Sequence, residues 1–396
     1  MHLVYLLNEF PKLSESFIIN EIYELEQLGH EVSIISIREV GGTVTHDELD
    51  ALHAEVRYLP FPGVVSGLCA LRWCKEVGEL VAQYQLLSPR ETAGAAYIGA
   101  HLNRAIQSLP TPPDHVHAHF FDWPKFALGY LDLDVPMTVT AHAFGLFQKG
   151  THEQRRGLSE RVDRIVTISA YNQQYLIETV GVEKPIDVIR MGIRPEKFEP
   201  SDSAVPGRLL TVARFVEKKG IEYAVDAVSQ LVDDHPYLEY RLIGSGPMEA
   251  AIRERIRERR LESHVRLLGR VSDKRLIQEL DEATPFVLPC VVAADGDRDG
   301  IPVALMEAMA METVPISTTI SGIPELIKDG ETGLLCEERN TGALREAIRH
   351  VIENPCEMRS IANQARDYVV SEFAAKEQVE KMERIFAHKL TDGGNH

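Results

Sequence analysis

The sequence has no apolar run long enough to cross a bilayer, no cysteine pair at C-x2-C spacing, and a shortage of positive charge. A membrane-spanning helix needs about 20 consecutive apolar residues. The N-terminal MHLVYLLNEFPKLSES breaks at Asn8-Glu9 and has no basic start, so it reads as a first buried strand and not as a signal peptide. Any membrane contact must then be peripheral. The five cysteines, Cys69, Cys74, Cys290, Cys336 and Cys356, are odd in number and carry no zinc spacing. They read as reduced, buried thiols in a reducing compartment. Against 60 acidic residues stand 42 lysines and arginines, a net charge of −18. Broad nucleic-acid binding needs a basic surface and is excluded. A local basic patch for a phosphate is not.

What is present is size and alternation. The chain has 396 residues, 44% of them hydrophobic, which suits two domains. His2–Leu7 reads as a strand, Ser14–Leu28 as a helix with Phe17, Ile18, Ile22, Leu25 and Leu28 on one stripe, and Val32–Ile37 as a second strand. Either Ser14 or Ser16 could cap that helix. A β-α-β unit implies parallel pairing with a right-handed crossover. Further strands are expected at Val116–Phe120, Met137–Thr140 and Arg164–Ile168, with 63–110 mainly helical. The stretch VIRMGIRPEKFEPSDSAVPG, rich in proline and glycine, reads as a linker. A second series follows, with strands at Arg208–Ala213, Tyr240–Ile243, Val265–Leu268, Pro285–Leu288 and Val314–Ser317. The expectation is an α/β chain of two doubly wound parallel-sheet domains, 1–190 and 191–370. A C-terminal helical segment, 371–396, packs back toward the first domain. Ligands in such sheets sit outside the carboxyl ends of the strands.

The richest segment runs from Asp297 to Leu335. Gly300 gives a turn, and Pro302 suits the first turn of a helix that continues through Val303–Met311. The free amides at that helix start form an anion site suited to a diphosphate. Asp299 just before it and Glu307 in its second turn offer acceptors for sugar hydroxyls. The plainer alternative is a solvated acidic loop before a core helix. A second stretch, LLTVARFVEKKGIEYAV, puts Arg214 and Lys218-Lys219-Gly220 after a strand, where cations can neutralise a diphosphate leaving group. A third, RLIGSGPMEAAI, carries Gly244 and Gly246, which allow a close backbone approach to a ligand. It lacks the third glycine of a dinucleotide fingerprint.

Three places stand out in the first half. The loop Asn8–Phe17 lies at a strand's carboxyl end, where it could face an acceptor and phosphate. In Asp114–Phe120, alternation puts His115, His117 and His119 on one strand face, for which a structural or cleft-lining role is expected and no metal. In Thr138–Gly145, His142 follows a strand and could donate to a sugar hydroxyl or a developing charge. Arg155, Arg156, Arg161 and Arg164 form a basic run. Such a run is usually a solvated face, and here it is also a candidate for docking on an anionic membrane.

These strings together resemble glycosyltransferase family 4, of the GT-B fold. The donor signature of that family, an acid, seven residues, then Glu within G-x-P-x4-E-A-M-A, matches Asp299 to Glu307. The match continues through Gly322–Leu326 and Asp329-Gly330-x-x-Gly333. R-x4-K-G matches Arg214 to Gly220, I-G-x-G-P matches Ile243 to Pro247, and H-A-H-F and T-x-H-x recur at 117–120 and 140–143. The N-terminal loop is close to transferases that build exopolysaccharides such as colanic acid.

The resemblance implies two Rossmann-like domains facing across a cleft. It implies that Arg214 and Lys219 clamp the diphosphate, Asp299 and His142 touch the donor sugar, and Glu307 binds the ribose. Gly244, Gly246, Arg270, Val271, Gly300, Ile301, Pro302 and Val303 would line the nucleotide pocket, with the base read through the backbone near Arg270. It implies a retaining hexosyltransferase with a nucleotide-sugar donor and a glycan or lipid-linked acceptor. No cofactor, metal or nucleic acid is expected, and the location is cytoplasmic, at or near the inner face of the membrane. Three residues depart from the family pattern: Gly145 where Asp is frequent, Asp299 where Glu is usual, and Glu312 where Gly is common. They motivate the alternative of a non-catalytic sugar-nucleotide-binding partner in a glycan-assembly complex.

Overall fold

The computed structural model describes residues 1–12, 15–39, 49, 51–60, 85–148, 150–201 and 203–387. Cys69, Cys74, Ser14 and much of the expected helical stretch 63–110 lie outside them. The chain forms two compact units. One comprises Met1–Met191 with Ala375–His396, and the other Gly192–Ala374.

In the first unit the strands are β1 (His2–Phe10), β2 (Glu31–Glu39), β3 (Glu55–Tyr58), β4 (His115–His119), β5 (Met137–Ala141), β6 (Arg164–Thr167) and β7 (Ile186–Val188). They pair in parallel in the order β3-β2-β1-β4-β5-β6-β7. The order reverses between β1 and β4, where a doubly wound sheet opens a crevice for ligands. Alternation along β1 supplies both cores. Val4 and Leu6 join one cluster and Leu3, Tyr5 and Leu7 the other. That is why the strand reads as an almost unbroken apolar run.

Helix α1 (Ser16–Gln27) buries Ile18, Ile22 and Leu25 on the second face. Its N-cap is Glu15, which makes no side-chain cap bond. Ser16 is therefore the first helical residue and not the cap expected of it. Helix α2 (Pro89–Gln107) covers the first face and opens with a capping box between Ser88 and Glu91. Helix α3 (His152–Ser159) also opens with a capping box, Thr151 with Gln154.

The second unit holds β8 (Arg208–Val212), β9 (Glu239–Ile243), β10 (Val265–Gly269), β11 (Phe286–Val287), β12 (Pro315–Thr318) and β13 (Leu334–Cys336). They are parallel in the order β10-β9-β8-β11-β12-β13, so the reversal lies between β8 and β11. Leu209, Tyr240 and Leu242 face one core, and Leu210, Ile243 and Phe286 the other. The helices include α4 (Ile221–Ser229), α5 (Glu249–Glu258), α6 (Asp273–Glu282), α7 (Val303–Ala310), α8 (Thr341–Glu353) and α9 (Pro355–Glu372).

The last helix, α10 (Ala375–Ala387), belongs to the first unit. Val379, Met382 and Phe386 enter its second core beside α1, and the Phe386 ring lies 4.5 Å from that of His115. Glu383 meets His30 Nε2 at 3.0 Å, and Gln378 accepts from the Arg190 amide. Among the described residues no helix is long and apolar enough to cross a membrane.

Candidate functional site

The reversal point of the second unit gathers most of the residues singled out in the sequence. The chain leaving β8 turns through Arg214 into a single turn, Glu217–Lys219. It then enters α4 through Gly220, held at φ +61°. A Cβ at Gly220 would sit 2.0 Å from the Pro289 carbonyl, so only glycine lets this turn close on the segment after β11. That closure brings Lys218 and Lys219 onto the loop ahead of α7. Lys219 Nζ lies 2.7 Å from Asp299 Oδ2, and Lys218 Nζ lies 3.0 Å from Asp297 and 3.4 Å from Asp299 Oδ1. The Cys290 thiol donates to Asp299 Oδ2 at 3.4 Å.

The charges dominate here. Burial alone would push the Asp299 carboxyl up, but Lys219 and Lys218 outweigh it and hold it at about 2. Burial would push the Lys219 ammonium down, and Asp299 raises it above the usual lysine value. Burial, with Asp299 beside it, pushes the Cys290 thiol well up, so it stays a neutral donor. The two lysines and two acids balance. The exposed Arg214, a like-charged neighbour of Lys219, adds a cation. The α7 amides, preceded by Pro302 as a cap with no side-chain bond, add a partial positive charge. The result suits a polyanion.

The other named residues fall around this point in different ways. Gly244 and Gly246 do meet a backbone closely, but it is the protein's own. A Cβ at Gly244 would be 1.8 Å from the Ala213 carbonyl, and one at Gly246 2.5 Å from that of Phe215. These glycines seat the β9 loop on the Arg214 loop. Ser245 accepts from the Phe215 amide at 3.0 Å, and the Arg270 guanidinium donates to the Ser245 hydroxyl at 3.2 Å. Ile301 is buried in the core, so only its backbone can meet a ligand, and the half-buried Val271 and Val303 pack against the same core. Gly300 and Pro302 are buried in the same segment, and Glu307 is half-buried one turn into α7. Lys218, read from the sequence only as a cation beside Lys219, is the deeper of the two lysines.

In the first unit, His142 follows β5 and is buried. Its Nε2 lies 3.0 Å from His119 Nδ1, and His119 Nε2 lies 3.3 Å from Glu21 Oε1. The Tyr5 hydroxyl donates to the same oxygen at 2.6 Å. Phe120, just after β4, takes φ +71°, and its ring and that of Phe17 lie 5.0 and 4.9 Å from His142. Beside them Lys125 is fully buried. It donates to Asn8 Oδ1 at 2.6 Å and Asp122 Oδ1 at 3.1 Å, while Asn8 donates to Asp122 Oδ2 at 2.8 Å. Burial lowers the Lys125 ammonium and Asp122 opposes it. Glu21, Tyr5 and Lys125 were not found from sequence. Glu21 sits beside Ile18 and Ile22 on the apolar stripe of α1, and Lys125 is a lone cation in WPKFALGY; each is a charge where only apolar residues are expected.

Glu21, His117 and His119 present metal-ligating atoms within 4.8 Å of one another. Their ring nitrogens are already engaged. His117 meets Thr138 at 2.7 Å and Thr140 at 3.0 Å, and His119 meets His142 and Glu21. The arrangement is a hydrogen-bond network. In the basic run Arg155 is buried, Arg156 is exposed, and Arg161 and Arg164 are half-buried, each held by a neighbour. Arg155 is buried and donates to the Gly145 carbonyl, Arg156 donates to that of Val180, Arg161 lies over the Phe126 ring, and Arg164 pairs with Asp187.

Comparison with known proteins gives the family and the fold. The model for glycosyltransferase family 4 matches residues 14–197, and that for glycosyl transferases group 1 matches 194–368. The chain is 30% identical to a putative colanic acid biosynthesis glycosyltransferase, WcaL, of Salmonella typhimurium, over 94% of this chain and 96% of that protein. The chain belongs to glycosyltransferase family 4. The amylovoran biosynthesis glycosyltransferase AmsK of Erwinia amylovora is 29% identical over 97% of this chain and all of that one. Among solved structures, sucrose-phosphate synthase from Thermosynechococcus elongatus has a TM-score of 0.76 at 17% identity, covering 98% of each chain. The Anabaena protein Alr3699/HepE, solved with UDP and glucose, has a TM-score of 0.70 at 15% identity, covering 98% of this chain and 99% of that one. At such identities these likenesses speak for the GT-B fold alone.

Two departures of this family 4 chain now have physical accounts. Gly145 sits where a Cβ would come within 2.7–2.9 Å of the Phe121 backbone, so the frequent Asp does not fit. Glu312, after α7, takes φ +55°, the left-handed region that favours glycine. The glutamate keeps an ion-pair contact with Arg366 at 3.8 Å.

Proposed function

We propose that this glycosyltransferase moves a hexose from a nucleotide diphosphate sugar to a glycan or lipid-linked acceptor. Configuration is retained, and the work serves exopolysaccharide or another cell-surface glycan on the cytoplasmic side. The observation that carries the donor reading is the lysine pair locked on Asp299 beside the α7 N-terminus, at the reversal point between β8 and β11. The relatives named for amylovoran and colanic acid biosynthesis support the polysaccharide setting.

In this reading Arg214, Lys219 and the α7 amides bind the diphosphate, and Glu307 accepts from the ribose hydroxyls. Asp299 accepts from a sugar hydroxyl when the diphosphate takes over Lys219. The bond from the anomeric carbon to the diphosphate oxygen breaks, and a bond to the acceptor oxygen forms on the same face. The acceptor proton passes to the leaving diphosphate. The developing charge falls on the fixed cations, where stabilisation is largest because the donors are already in place. The proposal assigns no metal to this step.

The test is transfer from a panel of UDP-, GDP- and ADP-sugars, with the anomeric configuration of the product read by NMR. Retention with one nucleotide is expected, with kcat reduced about 10²-fold or more in Lys219→Ala. An inverted product, or a Lys219→Ala rate equal to wild type, contradicts the reading. Nucleotide binding without turnover by any donor would favour the non-catalytic partner.

A further inference from the structure

His142 carries a buried Nδ1 with no hydrogen-bond partner. Leaving such an atom unpaired is costly because its desolvation is not repaid, and the left-handed backbone of neighbouring Phe120 adds strain at the same place. Unpaired polar atoms and strain together mark a position completed by a ligand. The network behind His142 determines what kind of group that ligand presents.

The reasoning starts at Glu21. Its Oε1 receives the Tyr5 hydroxyl at 2.6 Å, and the same oxygen faces His119 Nε2 at 3.3 Å. As the carboxylate, whose oxygens only accept, Glu21 receives both Tyr5 and His119, so the His119 proton sits on Nε2. A neutral imidazole has one proton, which leaves His119 Nδ1 bare. The 3.0 Å contact between His119 Nδ1 and His142 Nε2 then needs its proton on His142 Nε2. His142 Nδ1 is left with only a lone pair. Both rings stay neutral. Burial holds His119 at about 3, with Lys125 adding to it, and burial with the neighbouring His119 holds His142 well below the usual histidine value.

We infer that Tyr5, Glu21 and His119 are positioning residues that fix His142 as its Nε2–H tautomer, so that its Nδ1 accepts a hydrogen bond from a substrate hydroxyl. This reverses the donor role expected of His142 from sequence, and it excludes a carbonyl or phosphate oxygen as the partner. The hydroxyl being that of a sugar rests on the proposed function; the tautomer does not. A lone pair selects for a sugar that keeps this hydroxyl, because a deoxy analogue would leave the nitrogen unpaired.

The test is the long-range ¹H–¹⁵N spectrum of the histidine side chains in the full-length, ligand-free protein. Wild type is expected to show His119 and His142 as neutral Nε2–H tautomers from pH 6 to 8. Glu21→Leu removes the acceptor and is expected to give a mixture of His142 tautomers, whereas Glu21→Gln keeps an acceptor oxygen and restores the single one. A wild-type His142 in the Nδ1–H or doubly protonated form overturns the inference, as does a Glu21→Leu spectrum unchanged at His142. Stoichiometric metal on the purified protein, with His119 resonances that move on chelation, also overturns it. Because the wild-type spectrum needs neither donor nor turnover, failure of the tautomer and failure of the transferase reading are distinguishable.

Discussion

Asp299 Oδ2 and Lys219 Nζ lie 2.7 Å apart, although 80 residues separate the two side chains along the sequence. The pair exists because Gly220 lets the loop after β8 close on the segment after β11. It holds in one contact the acid proposed to face the sugar and the cation proposed to face the diphosphate.

That contact makes stability depend on pH in a stated direction. The Asp299 carboxyl is lowered from 3.8 to about 2, so its contribution is present above about 4 and is lost as pH falls through about 2. The displacement is worth roughly 2 kcal/mol. Asp299→Asn should melt below wild type at pH 7, with the gap closing between pH 4 and pH 2. A gap that stays constant over that range would show that the pair carries no such linkage.

Gly145→Asp should not improve the enzyme by restoring the frequent family residue. The new Cβ meets the Phe121 backbone at under 3 Å, and backbone cannot step aside as a flexible side chain can. Overpacking of this kind costs about 1–3 kcal/mol. Thermal melts should show the loss, and a variant as stable as wild type would mean that the loop relaxes freely.

Glu312→Gly should do the opposite. A left-handed residue with a side chain costs roughly 1–2 kcal/mol, and the Arg366 contact at 3.8 Å returns little of it. A gain of about 1 kcal/mol in urea unfolding is expected. A loss would show that the ion pair outweighs the backbone.

Much of this fold was legible because its strands are buried on both faces. Leu3–Leu7 is a continuous apolar run, Leu209–Val212 and Tyr240–Ile243 are apolar but for Thr211 and Arg241, and all three are interior strands of their sheets. The strands that escaped sequence reading are short and lie at or near sheet edges: EVRY in β3, three residues in β7 and three in β13. An edge strand needs little apolar pattern, because one side of it is open. At the site, the acid, the lysine and the helix start were legible because motif spacing carries them. Glu21 and Lys125 were not, because their roles arise from burial and partners brought together by the sheet; Lys218 was legible as a cation but not as the buried partner of Asp297. The family resemblance placed Ile301 at the nucleotide pocket; its side chain fills the core, which leaves only its backbone for a ligand. The two loop glycines were read as room for a nucleotide, whereas they make room for neighbouring backbone.

The central claim is that the Lys219–Asp299 locus binds a nucleoside diphosphate, and calorimetric titration of UDP, GDP and ADP into wild type and Lys219→Ala tests it most directly. One diphosphate should bind wild type, with its affinity falling about tenfold or more in the variant as one charge-assisted contact is lost. Equal affinity of both proteins for that diphosphate, or no binding of any of the three to wild type, would contradict the account.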